Sequence, residues 1–307
     1  MSNERKKMLL VGDNPFHGIS HLSQERARVR GDAMTHAEYA ANLVMTSLEN
    51  GANGFMFSVS EMTLSILRVI REMGGSKRLR LYGIVPYAFE YVRLATQIGT
   101  PGLAKKFMKQ IAVSGNVRAI AMGLKGVIRT DPVALLKTYL IYEISRIRSS
   151  AGKQAYLSSI LLHEVITDMA LALNLDWLFR SYVDFMLDIG IKPGFNTRNF
   201  VYLVKKFREW GIDLRETLIA TPFNKVGFQM NPSRADCERA LKSVSELNVV
   251  AISILASGYL HPEEAIEYIA TLPNMEGVSV GVSKEKHAIE TFQLLKQKLG
   301  SCQQSSK

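Results

Sequence analysis

The sequence predicts an α/β fold, a (β/α)8 TIM barrel with one helical insertion after strand 3. Three observations predict it. Short strand-like apolar runs alternate with helix-length amphipathic segments along the chain. Once an irregular stretch at about residues 87–130 is set aside, eight strands and eight helices remain. Strict alternation in that number favours a closed parallel barrel over a doubly wound open sheet. The length of 307 residues exceeds the roughly 250 of a typical barrel by enough for one insertion. One barrel domain over 1–300 is expected, with a polar tail at 301–307 that should be disordered.

Each element has a local cause. Met8, Leu9, Leu10 and Val11 form the first strand, which Gly12, Asp13 and Asn14 turn and Pro15 ends. Thr35 is suited to cap a helix from His36 to Asn50, with Glu38 at capping-box spacing and Gly51 at the stop. Ala52–Ser58 is the second strand, Glu61–Met73 a helix closed by Gly74 and Gly75, and Leu79–Val85 the third strand, ending at Pro86. Gly99, Pro101, Gly115 and Gly126 then break the pattern, until Asp131 and Pro132 open a helix running to about Ser149.

Alternation resumes with strands at Leu157–Leu162, Pro193–Asn196, Leu218–Phe223, Val249–Leu255 and Val278–Val282. The helices that follow them are Leu175–Ile189, Asn199–Trp210, Arg234–Leu247, Pro262–Ala270 and Lys284–Leu299.

Composition narrows the function classes. A hydrophobic share of 47% with 21% charged residues is that of an ordinary soluble globular chain. Met1–Lys7 is polar and basic, and the apolar run after it is too short for a secretory signal. Ile111–Ile128 is interrupted by Asn116, Arg118 and Lys125, so no transmembrane segment is expected. Two cysteines, Cys237 and Cys302, make neither a disulfide framework nor a zinc knuckle, which points to a reducing, cytoplasmic location.

The net charge of +10 is concentrated between Val92 and Thr130, where Arg93, Lys105, Lys106, Lys109, Arg118, Lys125 and Arg129 meet no acid. The plain reading is a solvated helical face. The alternatives are contact with an anionic small molecule, an acidic partner or a membrane surface. No aromatic interleaving or nucleic-acid motif accompanies the charge, so sequence-specific nucleic-acid binding is not expected.

A barrel gathers its reactive groups at the C-terminal ends of its strands. The first such end carries Asp13, His17 and His21 around Gly18. The fourth carries His163 and Glu164 after Ile160, Leu161 and Leu162. His163, Asp13, His17 and Glu164 are therefore the catalytic candidates, since imidazole and carboxylate exchange protons near neutrality. A second reading makes Asp13, His17, His21 and His163 ligands of a divalent metal such as zinc. Near the eighth strand, a Gly281–Val282–Ser283 turn opens a helix at Lys284, an arrangement suited to an anion because backbone N–H groups and the helix dipole face it.

From His163 onward the order of motifs resembles the aldo-keto reductases. LLHEV is similar to their fourth-strand histidine segment, GFNTRNFVYL to the following strand and helix, and TPFN to a strand ending in asparagine. GVSVGVSKEKHAIETFQLL resembles the segment that closes the barrel and holds cofactor phosphates, and the similarity spans about Leu161–Leu295. The resemblance implies an NADP or NAD cofactor held near Asn224, Ser257, Gly258, Gly281, Ser283 and Lys284.

Of that family's aspartate, tyrosine, lysine and histidine only His163 has a counterpart: the second strand ends at Ser58 and the third at Val85–Pro86. Tyr87 follows the wrong strand to inherit the tyrosine's role. The leading expectation is an oxidoreductase acting on a carbonyl or alcohol. The others are a metal-dependent hydrolase, lyase or isomerase of a phosphorylated or anionic small molecule, and a catalytically decayed barrel serving as an interaction protein.

Overall fold

Eight parallel strands close on one another in sequence order. They are β1 Met8–Gly12, β2 Gly54–Ser58, β3 Arg80–Val85, β4 Tyr156–Leu162, β5 Lys192–Asn196, β6 Leu218–Pro222, β7 Val249–Ile252 and β8 Met275–Gly281. Pairing of β8 with β1, Leu10 opposite Ser279, completes the ring and excludes the open sheet. The computed structural model describes residues 7–17, 37–86, 131–244 and 247–300. The expected insertion at 87–130, His21 and the 301–307 tail lie outside the described residues.

Nine helices surround the barrel among the described residues. They are α1 Ala37–Glu49, α2 Glu61–Glu72, α3 Pro132–Ala151, α4 Glu164–Ala172, α5 Asp176–Asp188, α6 Phe200–Trp210, α7 Arg234–Lys242, α8 Pro262–Thr271 and α9 Glu285–Leu299. Several start where the sequence expects a cap. Ser60 and Thr63 bond each other's backbone at the start of α2, and Asp131 accepts from Val133 and Ala134 ahead of Pro132 in α3. None of the described helices is long and apolar enough to cross a membrane.

The clearest differences from expectation are three boundaries and one helix. β7 ends at Ile252 rather than Leu255 because Ser253 takes a left-handed φ of 53° and leaves the ladder. β8 starts at Met275, earlier than Val278, because Gly277 leaves room for Met8 where a side chain would collide. Helix α7 stops at Lys242, capped by Ser243, instead of reaching Leu247. Helix α4 was not foreseen: it has nine residues, and its N-cap is a histidine rather than the usual Ser, Thr, Asp or Asn.

Side-chain alternation divides the apolar residues into two layers. Leu10, Met56, Tyr82, Ile84, Leu161, Leu218, Ala220 and Val250 fill the interior. Leu9, Val11, Phe55, Phe57, Phe195 and Val278 face the helices. Large interior groups need small neighbours: a Cβ at Gly54 would lie 2.8 Å from Leu10 Cδ2, and one at Gly194 2.5 Å from Leu161 Cγ. The plug fills the barrel up to the C-terminal strand ends, so a ligand is met at that rim.

Candidate active site

At the rim the inward positions become small or polar: Gly12, Ser58, Asn196 and Gly281. The chain leaves β1 through Asp13, whose carbonyl accepts from Phe16 N at 2.8 Å and closes a 3-10 turn over Asn14–His17. Gly281 makes that turn possible, since a Cβ there would stand 2.6 Å from the Pro15 ring.

The Asp13 carboxylate is buried, and its Oδ2 accepts from Ser58 N at 2.7 Å and lies 3.0 Å from His17 Nε2. A backbone donor from β2 and an imidazole thus converge on one carboxylate oxygen. The β2 end contributes an N–H where a reductase of the resembled family has an acid.

His163 leaves β4 with its own N–H bonded to Val85 O at 2.7 Å. Its Nδ1 accepts from Val165 N at 3.2 Å and so caps α4. An imidazole that accepts at Nδ1 carries its proton at Nε2 when neutral. Burial lowers its pKa below the usual histidine value, Glu164 opposes that shift, Arg198 adds to it, and Asp13 opposes it. His163 and Asp13 therefore share one electrostatic environment at the rim.

Glu164 and Asp168 project from α4 toward the loop that follows β5. The Glu164 carboxylate takes Arg198 at both oxygens, with Nε at 3.0 Å and an NH2 contact at 2.6 Å. Asp168 accepts from Thr197 Oγ1 and, at 3.2 Å, from Arg198 N. Burial raises the Asp168 pKa above the usual carboxylate value, against the lowering effect of those bonds. The two acids fasten α4, and with it His163, to the loop that begins at Asn196.

Strands 6 to 8 end differently. Both ends of the Asn224 side chain bond Phe228, Nδ2 to its carbonyl at 2.8 Å and Oδ1 from its N–H at 2.7 Å. Asn224 thus closes its own loop. After β7 the chain turns through left-handed residues Ser253, Ala256, Ser257 and Gly258, with a 3-10 turn at Ala256–Gly258. After β8, Ser283 accepts from Tyr39 Oη through its carbonyl, and Lys284 stands at the N-cap of α9 without a side-chain cap bond.

Among the described residues no group of three His, Cys, Asp or Glu side chains is placed to hold a metal ion. Asp13, His17 and His163 lie at the rim, while His21 is outside the described residues. Sequence reasoning placed Asn196 at a strand end without assigning it a role, and it overlooked Asp168. Their roles rest on strand register and on a helix without a familiar cap signal.

Fold and rim together define a closed (β/α)8 barrel with titratable groups at the C-terminal ends of strands 1 and 4. No protein-family model matches the chain, and no curated protein sequence matches it. Among solved structures the barrel is similar to one described as "Putative aldo-keto reductase from Pseudomona aeruginosa", at a TM-score of 0.57 and 11% identity over 96% of this chain and 91% of that one. A second crystal structure, of an aldo-keto reductase described in the same terms and from the same organism, gives 0.57 and 12% over the same shares. At that identity the likeness establishes the architecture: this chain has the barrel fold found in those two structures.

Proposed function

We propose that the protein is a nicotinamide nucleotide-dependent oxidoreductase that interconverts a carbonyl and an alcohol on a small molecule at the barrel rim. The observation that carries the reading is His163, whose Nδ1 is engaged by Val165 N. That bond directs the Nε2 proton to be the one offered to a substrate oxygen. The lowered pKa keeps the ring neutral near pH 7, so it polarises a carbonyl as a hydrogen-bond donor.

The residues at the far side of the rim fit the phosphates of such a cofactor. Lys284 supplies a positive charge at a helix N-terminus that no side chain caps, and Ser283 precedes it. The turn of Ser253 to Gly258, with its left-handed residues, follows β7 and so lies at the same C-terminal end of the barrel as Ser283 and Lys284. When bound there, a nicotinamide nucleotide supplies or accepts the hydride.

The chain's own residues supply the rest. His163 donates to the reacting oxygen, and the Asp13–His17 pair places a second proton-exchanging group at the end of β1. Glu164 and Asp168 hold α4 in place through Arg198 and Thr197. The Asp13–His17 pair stands in for the acid, tyrosine and lysine that the second and third strands lack.

A fluorescence titration with reduced nicotinamide nucleotide, at low and at moderate salt, tests this. Saturable micromolar binding that survives moderate salt is expected, because a built phosphate site is less screened than a surface charge. No binding at low salt overturns the proposal.

A further inference from the structure

Asn196 ends β5 on the inner face of the barrel, 8% exposed. Its Oδ1 is sealed from the rim and has no hydrogen-bond partner among the described residues. Ala220, opposite on β6, is apolar, and Thr197, next along the chain, gives its hydroxyl to Asp168. With Oδ1 closed off, the accessible end of the amide is Nδ2. The reverse setting would bury two N–H groups against the same wall, and orphaned buried donors are rarer than under-satisfied carbonyls. Asn196 therefore presents a donor to the rim and leaves its acceptor behind.

His163 stands beside it. The last ladder pair between β4 and β5 is Leu162 with Phe195, so one residue further on His163 and Asn196 are neighbours. His163 Nδ1 accepts from Val165 N, so the neutral ring carries its proton at Nε2. Two N–H donors thus reach the rim from adjacent strands. Such strands lie ~4.8 Å apart, a spacing that two N–H···O bonds of ~2.9 Å bridge by meeting on one oxygen.

A carbonyl oxygen suits that pair. It offers two lone pairs, and it gains negative charge as it becomes an alkoxide, so bonds from two fixed donors strengthen along the reaction. We infer that Asn196 is a second catalytic donor, whose Nδ2 holds the reacting carbonyl oxygen together with His163 Nε2. The inference rests on the reading above for its chemistry. The C=O π pair moves onto the held oxygen as hydride from reduced nicotinamide, thereby oxidised by two electrons, reaches the carbonyl carbon. Both side chains keep their protons, and water supplies the one that completes the alcohol.

The test is binding to the full chain without nucleotide. Pyridine N-oxide, whose oxygen is charged like a developing alkoxide, is compared with cyclohexanone, a six-membered ring with an ordinary carbonyl. The His163 ring and Asn196 N–H2 signals, assigned by their loss in His163→Gln and Asn196→Ala, are followed by NMR. The wild-type protein should bind pyridine N-oxide at least about tenfold more tightly than cyclohexanone, and both sets of signals should shift together. Asn196→Ala, and Asn196→Asp of nearly the same shape, each lack the donor and should bring the two ligands within about threefold of each other.

Equal binding of the two ligands, binding of neither, a shift at His163 without one at Asn196, or a preference that survives both substitutions overturns the inference. So does an Asn196→Ala variant that keeps the preference and loses affinity for reduced nicotinamide nucleotide, since the donor then serves the cofactor. A wild-type protein that binds no nucleotide, yet shows an Asn196-dependent preference for the N-oxide, defeats the oxidoreductase reading and upholds the two-donor site.

Discussion

The rim has two halves built by different means. At the ends of β1, β4 and β5 the work falls to side chains: a buried carboxylate, two imidazoles and an amide, each set by a hydrogen bond or by strand register. At the ends of β7 and β8 it falls to the backbone, with left-handed turns and a helix start at which Lys284, Glu285 and Lys286 are all exposed. Side chains held in partial burial shift proton affinities and suit chemistry. Backbone N–H groups in turns suit a phosphate, which needs many donors and little discrimination.

That contrast yields its largest expected effect at His163. His163→Ala should lower kcat by about 10²–10⁴-fold, the usual share of a general acid or base, with nucleotide affinity nearly unchanged. An equal loss in both would erase the division between the halves. The pH profile sharpens it. His163 titrates below its ordinary value because burial disfavours the cation, so kcat/KM should hold a plateau near pH 7 and fall on the acid side, where a proton on Nδ1 breaks the bond from Val165 N that orients the ring. Arg198→Gln removes a cation that lowers the His163 pKa and leaves the Glu164 carboxylate unpaired; both changes favour the imidazolium and should move the acid limb to higher pH. For stability the sign is set by the same shift. The unfolded chain takes up this proton first as pH drops, so His163 lowers stability between its ordinary value and its depressed one, and the loss is complete below the latter.

A smaller effect, on stability as well as activity, is expected at Asp13. Asp13→Ala strands the Ser58 N–H inside the barrel and removes the carboxylate contact of His17, which should cost about 1–3 kcal/mol by urea denaturation. Asp13→Asn keeps an acceptor for Ser58 and should cost less. If both variants cost the same, the carboxylate's charge toward His17 matters more than its reach to β2.

The two halves were also unequally legible in the sequence. Alternating apolar runs announced all eight strands, because a barrel strand buried on both faces needs such a run. His163 stood out as a polar residue directly after one. The turns after β7 and β8 were locatable through Gly258, Gly281 and Lys284, since glycine and a basic helix start have few structural uses. The setting of Asn196 was illegible: it depends on its register after the Leu162–Phe195 pair and opposite Ala220 of β6, neither of which is local in sequence. Helix α4 was hidden for a related reason. Its cap is the imidazole that sequence reasoning reserved for chemistry. Asn224 shows the converse, a strand-end asparagine that matched a motif but spends both ends of its amide on its own loop.

The smallest effect expected is at Lys284, and there the sign is what matters. A cation at the N-cap of α9 opposes the helix dipole and offers no acceptor to the first-turn N–H groups, so by helix criteria alone the position is poorly filled. Lys284→Ser supplies the missing cap and should raise stability by roughly 0.5–1 kcal/mol. If the lysine is there for a phosphate, the same change should weaken reduced nicotinamide nucleotide about two- to fivefold and flatten the salt dependence of what binding remains. Opposite signs in two measurements on one variant would show that the backbone half of the rim trades helix stability for an anion. A gain in stability with nucleotide affinity unchanged would leave Lys284 without a ligand and confine the functional part of the rim to the strands that carry Asp13, His163 and Asn196.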